Sequence, residues 1–260
     1  MEYQTQPIAN DLYPSYVHSI LPTIPKHCWQ VQEQEGGTCG IVAASNALNL
    51  LRHGTARFDR EDLLATAHGW IHRTYGSASF TTEMILKRHG AGTHFGTLRA
   101  TNVEVVLKAL IDQGLPVCIE IDQNMFGPIP IYGLHTVVLV GYSDPYVDAW
   151  GNTHEEYYFV NSSYRPNGTW SMNSNNIDRD GDQVPEVYPG NHTMERSEFL
   201  RRFPTGIYFP VFPSQADHDQ WYTTFMRRRN RVPILGWLRD QWMTGSFDTL
   251  LAESAHDGTK

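Results

Sequence analysis

The chain is poor in cysteine, has no long apolar run and carries no excess of positive charge. Its three cysteines, Cys28, Cys39 and Cys118, are an odd number without paired spacing. That excludes a disulfide framework and a zinc-type pair of cysteines. Free thiols persist in reducing compartments. The N-terminal MEYQTQPIANDLYPSY lacks the basic region and apolar stretch of a secretory signal, so a cytoplasmic location is expected, with signal-less export left open. No apolar run approaches the length of a membrane span, so no integral membrane segment is expected. Lys and Arg total 20 against 28 Asp and Glu, a formal net charge of −8. Phosphate binding needs a basic footprint, so nucleic acid is not expected as a partner.

What is present suits a folded globular chain. Of the 260 residues, 40% are hydrophobic and 12% aromatic, which is ample for a core. Residues 1–27 hold four prolines and little periodicity, and read as an N-terminal arm draped over a domain. From Gly40 to His53, apolar residues fall at 41, 42, 44, 47, 48, 50 and 51, a broad helical stripe with Gly54 as its stop. FDREDLLATAHGW reads as a short helix capped by Asp59, TTEMILKRHG as one capped by Thr, and TNVEVVLKALIDQG as one capped by Asn102 and stopped by Gly114. Strand candidates follow at 115–122, 134–142, 155–164 and 205–212, separated by a long polar stretch over 165–194. Helices in the first half and strands in the second predict an α+β protein with an antiparallel sheet formed late in sequence.

The stretch EQEGGTCGIVAASNALNLL, residues 33–51, places Cys39 between two glycines and the predicted helix. A helix N-terminus favours the thiolate, and Gly36 and Gly37 permit a sharp turn and a close approach to the backbone. A thiolate nucleophile needs an imidazole. His135 opens the strongly apolar HTVVLVGY, where a strand can hold its ring at a cleft. A third group should orient that ring, and Asn161, ending YYFVN, is the candidate. If the strands 134–142 and 155–161 pair as a hairpin centred near residue 148, residues 135 and 161 meet. Acyl transfer also wants donors for a developing oxyanion. A backbone N–H at the helix start is one; Gln34, with Gln32 as its rival, is the other.

Gln34 five residues before Cys39–Gly40, a following helix, HTVVLVGY and FVNSSY together resemble the papain-like cysteine peptidase superfamily. Within it, CG opening the helix and ALIDQGLPVCIEID before the His strand resemble the double-glycine leader peptidases of bacteriocin transporters. QEGGTC resembles the Josephin-type deubiquitinases in its Gln-to-Cys spacing. The resemblance implies a papain-like fold over residues 28–212, with Cys39 as nucleophile, His135 as general base and acid, Asn161 as orienting residue and Gln34 as oxyanion donor. The chain departs from the leader peptidases in having Asn where they usually have Asp, in its Gln-to-Cys spacing and in its long 165–194 insertion.

Plainer readings stand beside these. Cys118, inside PVCIEI, and Cys28, beside Trp29, read as buried structural thiols. His135 alone could be a core histidine, Asn161 a strand-end turn residue and Gln34 a surface residue. The acidic stretch DRDGDQVPE resembles a calcium loop with Asp178, Asp180, Asp182 and Glu186 as ligands, but a solvated acidic loop is the better reading. In the C-terminal extension, 213–260, the arginine- and Trp-rich stretch 226–245 reads as a helix docked on the domain, with contact to a membrane surface or a partner as the alternative. The expected function is a cysteine peptidase or amidase acting on a peptide or protein through a thioester, without metal or organic cofactor. The rivals are an acyltransferase using the same residues and a catalytically silent papain-like binding module.

Overall fold

The structure is a computed structural model and describes residues 12–24, 26–28, 30–52, 58–67, 71–72, 76–77, 79–98, 102–122, 134–165, 171–172 and 175–226. In chain order the elements are β1 (Val17–Ser19), α1 (Cys39–Leu51), α2 (Arg60–Thr66), β2 (Ile71–His72), β3 (Gly76–Ser77), α3 (Ser79–Arg88), β4 (Gly96–Thr97), α4 (Val103–Asp112), β5 (Val117–Asp122) and β6 (Leu134–Ser143). They continue with β7 (Tyr146–Val147), β8 (Thr153–His154), β9 (Glu156–Val160), β10 (Asn175–Ile177), β11 (Glu186–Tyr188), β12 (His192–Glu195), α5 (Arg196–Arg202), β13 (Ile207–Pro210) and α6 (Gln215–Trp221). The expected α+β organisation holds. The main helices precede an antiparallel sheet ordered β12-β9-β6-β5-β13-β4, with β1 also paired to β6.

The long strand β6 is the spine of this sheet. Its first half pairs with β5 and its far end with β1, while β9 lies along its other edge. β6 is buried almost throughout, as its near-continuous Val and Leu run requires when helices cover it. Helix α1 packs against β6 and β5 and is flanked by α2 and α3. The apolar stripe read from the sequence understates its burial: Ala43, Ser45 and Asn46 are buried as well. The helix is central, and its polar side chains find local partners except at Asn46 Nδ2, which has none among the described residues. Ser45 Oγ donates to Phe58 O at 2.5 Å, and Asn46 Oδ1 accepts from Gln32 N at 3.2 Å, which offsets the cost of burying them.

Several local expectations are corrected. α1 begins at Cys39 itself, one residue earlier than the stripe suggested. α3 begins at Ser79, which leaves Thr81 and Thr82 as buried interior residues, not caps. Asp59 and Asn102 precede their helices as expected, yet neither side chain makes a capping hydrogen bond. The polar stretch 165–194 contains a small hairpin, β10–β11, and the edge strand β12. Residues 17–19 join the main sheet as β1, and Tyr13, Val17, Ile20, Leu21 and Ile24 are core residues. Gly54 and residues 227–245 of the Trp-rich stretch lie outside the described residues.

Candidate active site

The Cys39 end of α1 is set by the turn before it. Gly36 takes φ +56°, a left-handed conformation that favours glycine. Thr38 Oγ1 donates to Glu35 O at 2.9 Å and accepts from Glu35 N at 3.1 Å. The hydroxyl therefore closes the glycine turn and does not cap the helix. The first backbone N–H groups of α1 have no partners within the helix, and its dipole favours negative charge at its first residue.

Cys39 is half-buried, and His135 and Thr136 at the start of β6 are the groups that act on its thiol. Burial alone would push its thiol up. The hydrogen bond and charge of His135, with the backbone and side chain of Thr136, outweigh burial and hold the thiol below the ordinary value. The other two cysteines behave oppositely. Burial raises Cys28 and raises Cys118 strongly, as their structural reading requires.

The expected hairpin forms, but its register differs. Val138 pairs with Val160 and Leu139 with Phe159, and a bulge intervenes before Gly141 pairs with Tyr158. Continuing this register sets Asn161 opposite residue 137, two residues from His135. The two side chains close that diagonal, which lies on one face of the sheet. His135 Nε2 and Asn161 Oδ1 are 2.8 Å apart.

Hydrogen polarity around Asn161 follows from one backbone group. Ser163 N–H can only donate, and it donates at 3.0 Å to Asn161 Oδ1; Ser163 Oγ donates to the same atom at 2.9 Å. That oxygen can only accept, so the proton shared with His135 sits on Nε2, and Nδ1 is the ring nitrogen left for Cys39.

Asn191 and His192 in this cluster were not singled out from the sequence, nor were Thr136, Ser162 and Ser163. Asn191 Oδ1 accepts from Asn161 N at 2.7 Å, and its Nδ2 donates to Asn161 O at 2.9 Å and to Tyr164 O at 2.6 Å. Its buried side chain thus clamps the backbone that carries Asn161. Gly190 just before it has φ +76°, and a Cβ there would lie 2.3 Å from Phe159 O, so the chain can enter this clamp only through glycine. His192 Nδ1 lies 2.9 Å from Asn161 Nδ2. Burial, the charge of Arg202 and the nearby His135 outweigh Glu198 and push the His192 imidazole down to about 4.

This shift carries a pH dependence. An unfolded histidine binds a proton near pH 6.5, whereas His192 in the fold resists it until about pH 4. Its contribution is complete above pH 6.5 and is lost as pH falls towards 4, by up to about 3 kcal/mol. Urea unfolding at pH 7 and pH 4.5 is expected to show a larger loss for the wild type than for His192→Asn.

The two glutamine candidates occupy different environments. Gln32 is consumed: its Nε2 donates to Ser45 Oγ at 2.5 Å and to Phe58 O at 2.8 Å, and its Oε1 accepts from Arg60 N at 2.7 Å. Gln34 is half-buried. Its backbone N–H donates to Ser162 O at 3.3 Å, and its Oε1 accepts from Ser162 Oγ at 2.9 Å. Both contacts tie it to the residue after Asn161 and turn its carboxamide so that Nε2 is the donor end left over.

Among the described residues, two groups bring possible metal ligands together. His154, Glu156 and Glu195 are already bound to other groups: His154 spans Glu195 at 2.5 Å and Asp148 at 3.0 Å, and Glu156 pairs with Arg179. In the acidic loop, Asp178, Asp180 and Glu186 converge, and Asp182 falls outside the group. Asp178 accepts from Gly181 N at 2.8 Å and Gln183 N at 3.1 Å, Asp180 accepts from Asp182 N at 3.1 Å, and Glu186 accepts from Arg179 N at 2.9 Å. The acids cap their own turns, as solvated Asp residues do. No helix among the described residues is long and apolar enough to cross a membrane.

Solved structures similar to the chain include the following. The peptidase domain of Streptococcus ComA, a bifunctional ABC transporter involved in a quorum-sensing pathway, is 13% identical, with 72% of this chain and 100% of that one covered at TM-score 0.42. A putative C39-like peptidase from Bacillus anthracis is 16% identical, with 74% and 96% covered at TM-score 0.42. SERA5E from Plasmodium falciparum is 13% identical, with 79% and 98% covered at TM-score 0.46. No curated protein matches the sequence. The sequence of residues 26–183, which holds Gln34, Cys39, His135 and Asn161, matches the Peptidase_C39 like family, and the chain belongs to that family.

Proposed function

We propose that the protein is a cysteine peptidase or amidase that hydrolyses a peptide or isopeptide bond, with residues 28–212 as its catalytic unit. The carrying observation is the 2.8 Å contact of His135 Nε2 with Asn161 Oδ1 at the head of β6, with the Cys39 thiol at the start of α1 held below its ordinary value by His135. Nδ1 of His135 takes the thiol proton, and the thiolate attacks the carbonyl carbon. Charge develops on the carbonyl oxygen, where Nε2 of Gln34 and a backbone N–H at the start of α1 donate to it. The intermediate collapses as His135 returns the proton to the leaving amine, which leaves a thioester on Cys39. His135 then takes a proton from water, the hydroxide attacks the thioester, and the acid departs with the thiol restored. Through Nε2, Asn161 keeps the ring turned for both transfers.

The resemblance to double-glycine leader peptidases supports a peptide with Gly-Gly before the scissile bond as first substrate. A peptidyl-Gly-Gly-aminomethylcoumarin tests this, with an acid quench and mass mapping. The expected result is coumarin release together with an acyl adduct on Cys39. Turnover without that adduct, or turnover that survives in Cys39→Ala, overturns the assignment. A nucleophilic amine added in parallel separates hydrolysis from acyl transfer by the product formed.

A further inference from the structure

The residues around Asn161 raise a question that the chemistry above leaves open. A carboxamide has two ends of nearly equal shape. Only one of them, the oxygen, can accept from His135 Nε2; with the amide reversed, two donors would face each other and the imidazole would lose its anchor.

We propose that His192 is a positioning residue that acts with Ser163 to fix which end of the Asn161 carboxamide faces His135: Ser163 holds the oxygen end, and His192 holds the amide end by accepting a hydrogen bond from Asn161 Nδ2 at its own Nδ1. This rests on the peptidase reading, since orienting His135 matters only if His135 works on Cys39.

Ser163 N–H marks Oδ1 as the oxygen, so the Asn161 atom 2.9 Å from His192 is the NH₂ group. An NH₂ only donates, and therefore His192 Nδ1 carries a lone pair and the neutral ring holds its proton on Nε2. A protonated His192 would present N–H at both ring nitrogens and repel that end of the amide.

The surroundings keep the ring neutral and in place. Tyr164 stacks on it with centroids 4.8 Å apart, and Phe159 lies at 6.2 Å. The charged or titratable groups acting on it are Arg202 and Glu198 on α5 and His135 on β6; burial, Arg202 and His135 disfavour the cation and outweigh Glu198, which favours it. The ring is delivered by β12, whose pairing sets His192 against Phe159 on β9, two residues before Asn161. The Asn191 clamp fixes the backbone of Asn161, while His192 holds the Nδ2 end of its side chain and Ser163 the Oδ1 end.

Two substitutions separate the hydrogen bond from the packing. His192→Phe keeps an aromatic ring against Tyr164 and removes the acceptor, which leaves a buried amide proton without a partner. His192→Asn restores an acceptor near the position of Nδ1. With the Gly-Gly coumarin substrate, His192→Phe is expected to lower kcat about 10- to 100-fold, the range of one unsatisfied buried donor, with KM unchanged. His192→Asn is expected to recover most of that loss. Equal losses in both variants, or wild-type kcat in His192→Phe, would overturn the proposal. Independently of any turnover, ¹⁵N NMR of the wild-type imidazoles is expected to show His192 Nδ1 unprotonated at pH 7 and down to about pH 5, whereas a proton on Nδ1 at pH 7 would contradict it. A wild-type protein that forms no acyl adduct on Cys39 overturns the peptidase reading, while the NMR still decides the hydrogen bond.

Discussion

Cys39→Ser is expected to reduce kcat by about 10⁴- to 10⁶-fold, the scale on which removal of a nucleophile from a cooperating set acts. A serine hydroxyl keeps much of the shape but ionises far above a thiol, so the helix dipole and the His135 contact that hold the thiolate cannot generate an alkoxide near neutral pH. Since Cys39 is half-buried and opens its helix, the fold should be preserved, and the midpoint of thermal unfolding should stay close to that of the wild type. His135→Ala should lose activity on a similar scale. The double variant should be scarcely worse than either single one, because the two residues act as one unit. Steady-state kinetics with the Gly-Gly coumarin substrate check this, and additive losses would contradict a coupled pair.

The largest stability effect is expected far from Cys39, at Glu156. Its side chain is 1% exposed and pairs with Arg179. The hydroxyls of Tyr146 and Tyr158 also donate to it, at 2.8 Å and 3.0 Å. One carboxylate therefore joins β7, β9 and the loop between β10 and β11. Glu156→Ala leaves the Arg179 guanidinium largely buried without its charge partner and two tyrosine hydroxyls without an acceptor, and is expected to cost about 3–5 kcal/mol. Urea unfolding at pH 7 measures it. Glu156→Leu combined with Arg179→Leu should recover part of the loss, because the desolvated charge is removed with its partner. A cost below about 1 kcal/mol for Glu156→Ala would show that the network is not buried as described.

The acidic loop DRDGD carries an arginine among its acids. In the fold the arginine between them turns inward to Glu156, and the acids tie off the turn. The residues with the strongest chemical signatures were legible. Cys39 after a glycine turn, His135 at the head of an apolar strand and Asn161 at the end of the next each follow from local pattern. The pairing of β6 with β9 followed as well. Its register did not, because the bulge before Gly141 and the true position of the turn leave no trace in the alternation. The sequence preferred Gln34 by its spacing to Cys39 and kept Gln32 as a rival, since both precede Cys39 closely. Only the partners of Gln32 on α1 and α2 separate them.

Asn191 and His192 were out of reach for a different reason. They sit in a polar stretch without period, and β12 is a four-residue edge strand, too short to alternate visibly. The one local signal is Gly190, a glycine just before two polar residues. Its importance appears only when β9 is beside it, with Phe159 O where a Cβ would stand. Likewise β1 has three residues, and nothing in so short a run tells a sheet strand from a loose arm.

The central claim is that Cys39 is a thiolate held by His135 at the start of α1. The most direct measurement is the rate of alkylation of Cys39 by iodoacetamide from pH 4 to pH 10, followed by peptide mass spectrometry in the wild type and in His135→Ala. The expected profile for the wild type keeps a reactive plateau well below the ordinary thiol range, near pH 8.5, and that plateau disappears in His135→Ala. A Cys39 that titrates as an ordinary thiol in both proteins would contradict the account.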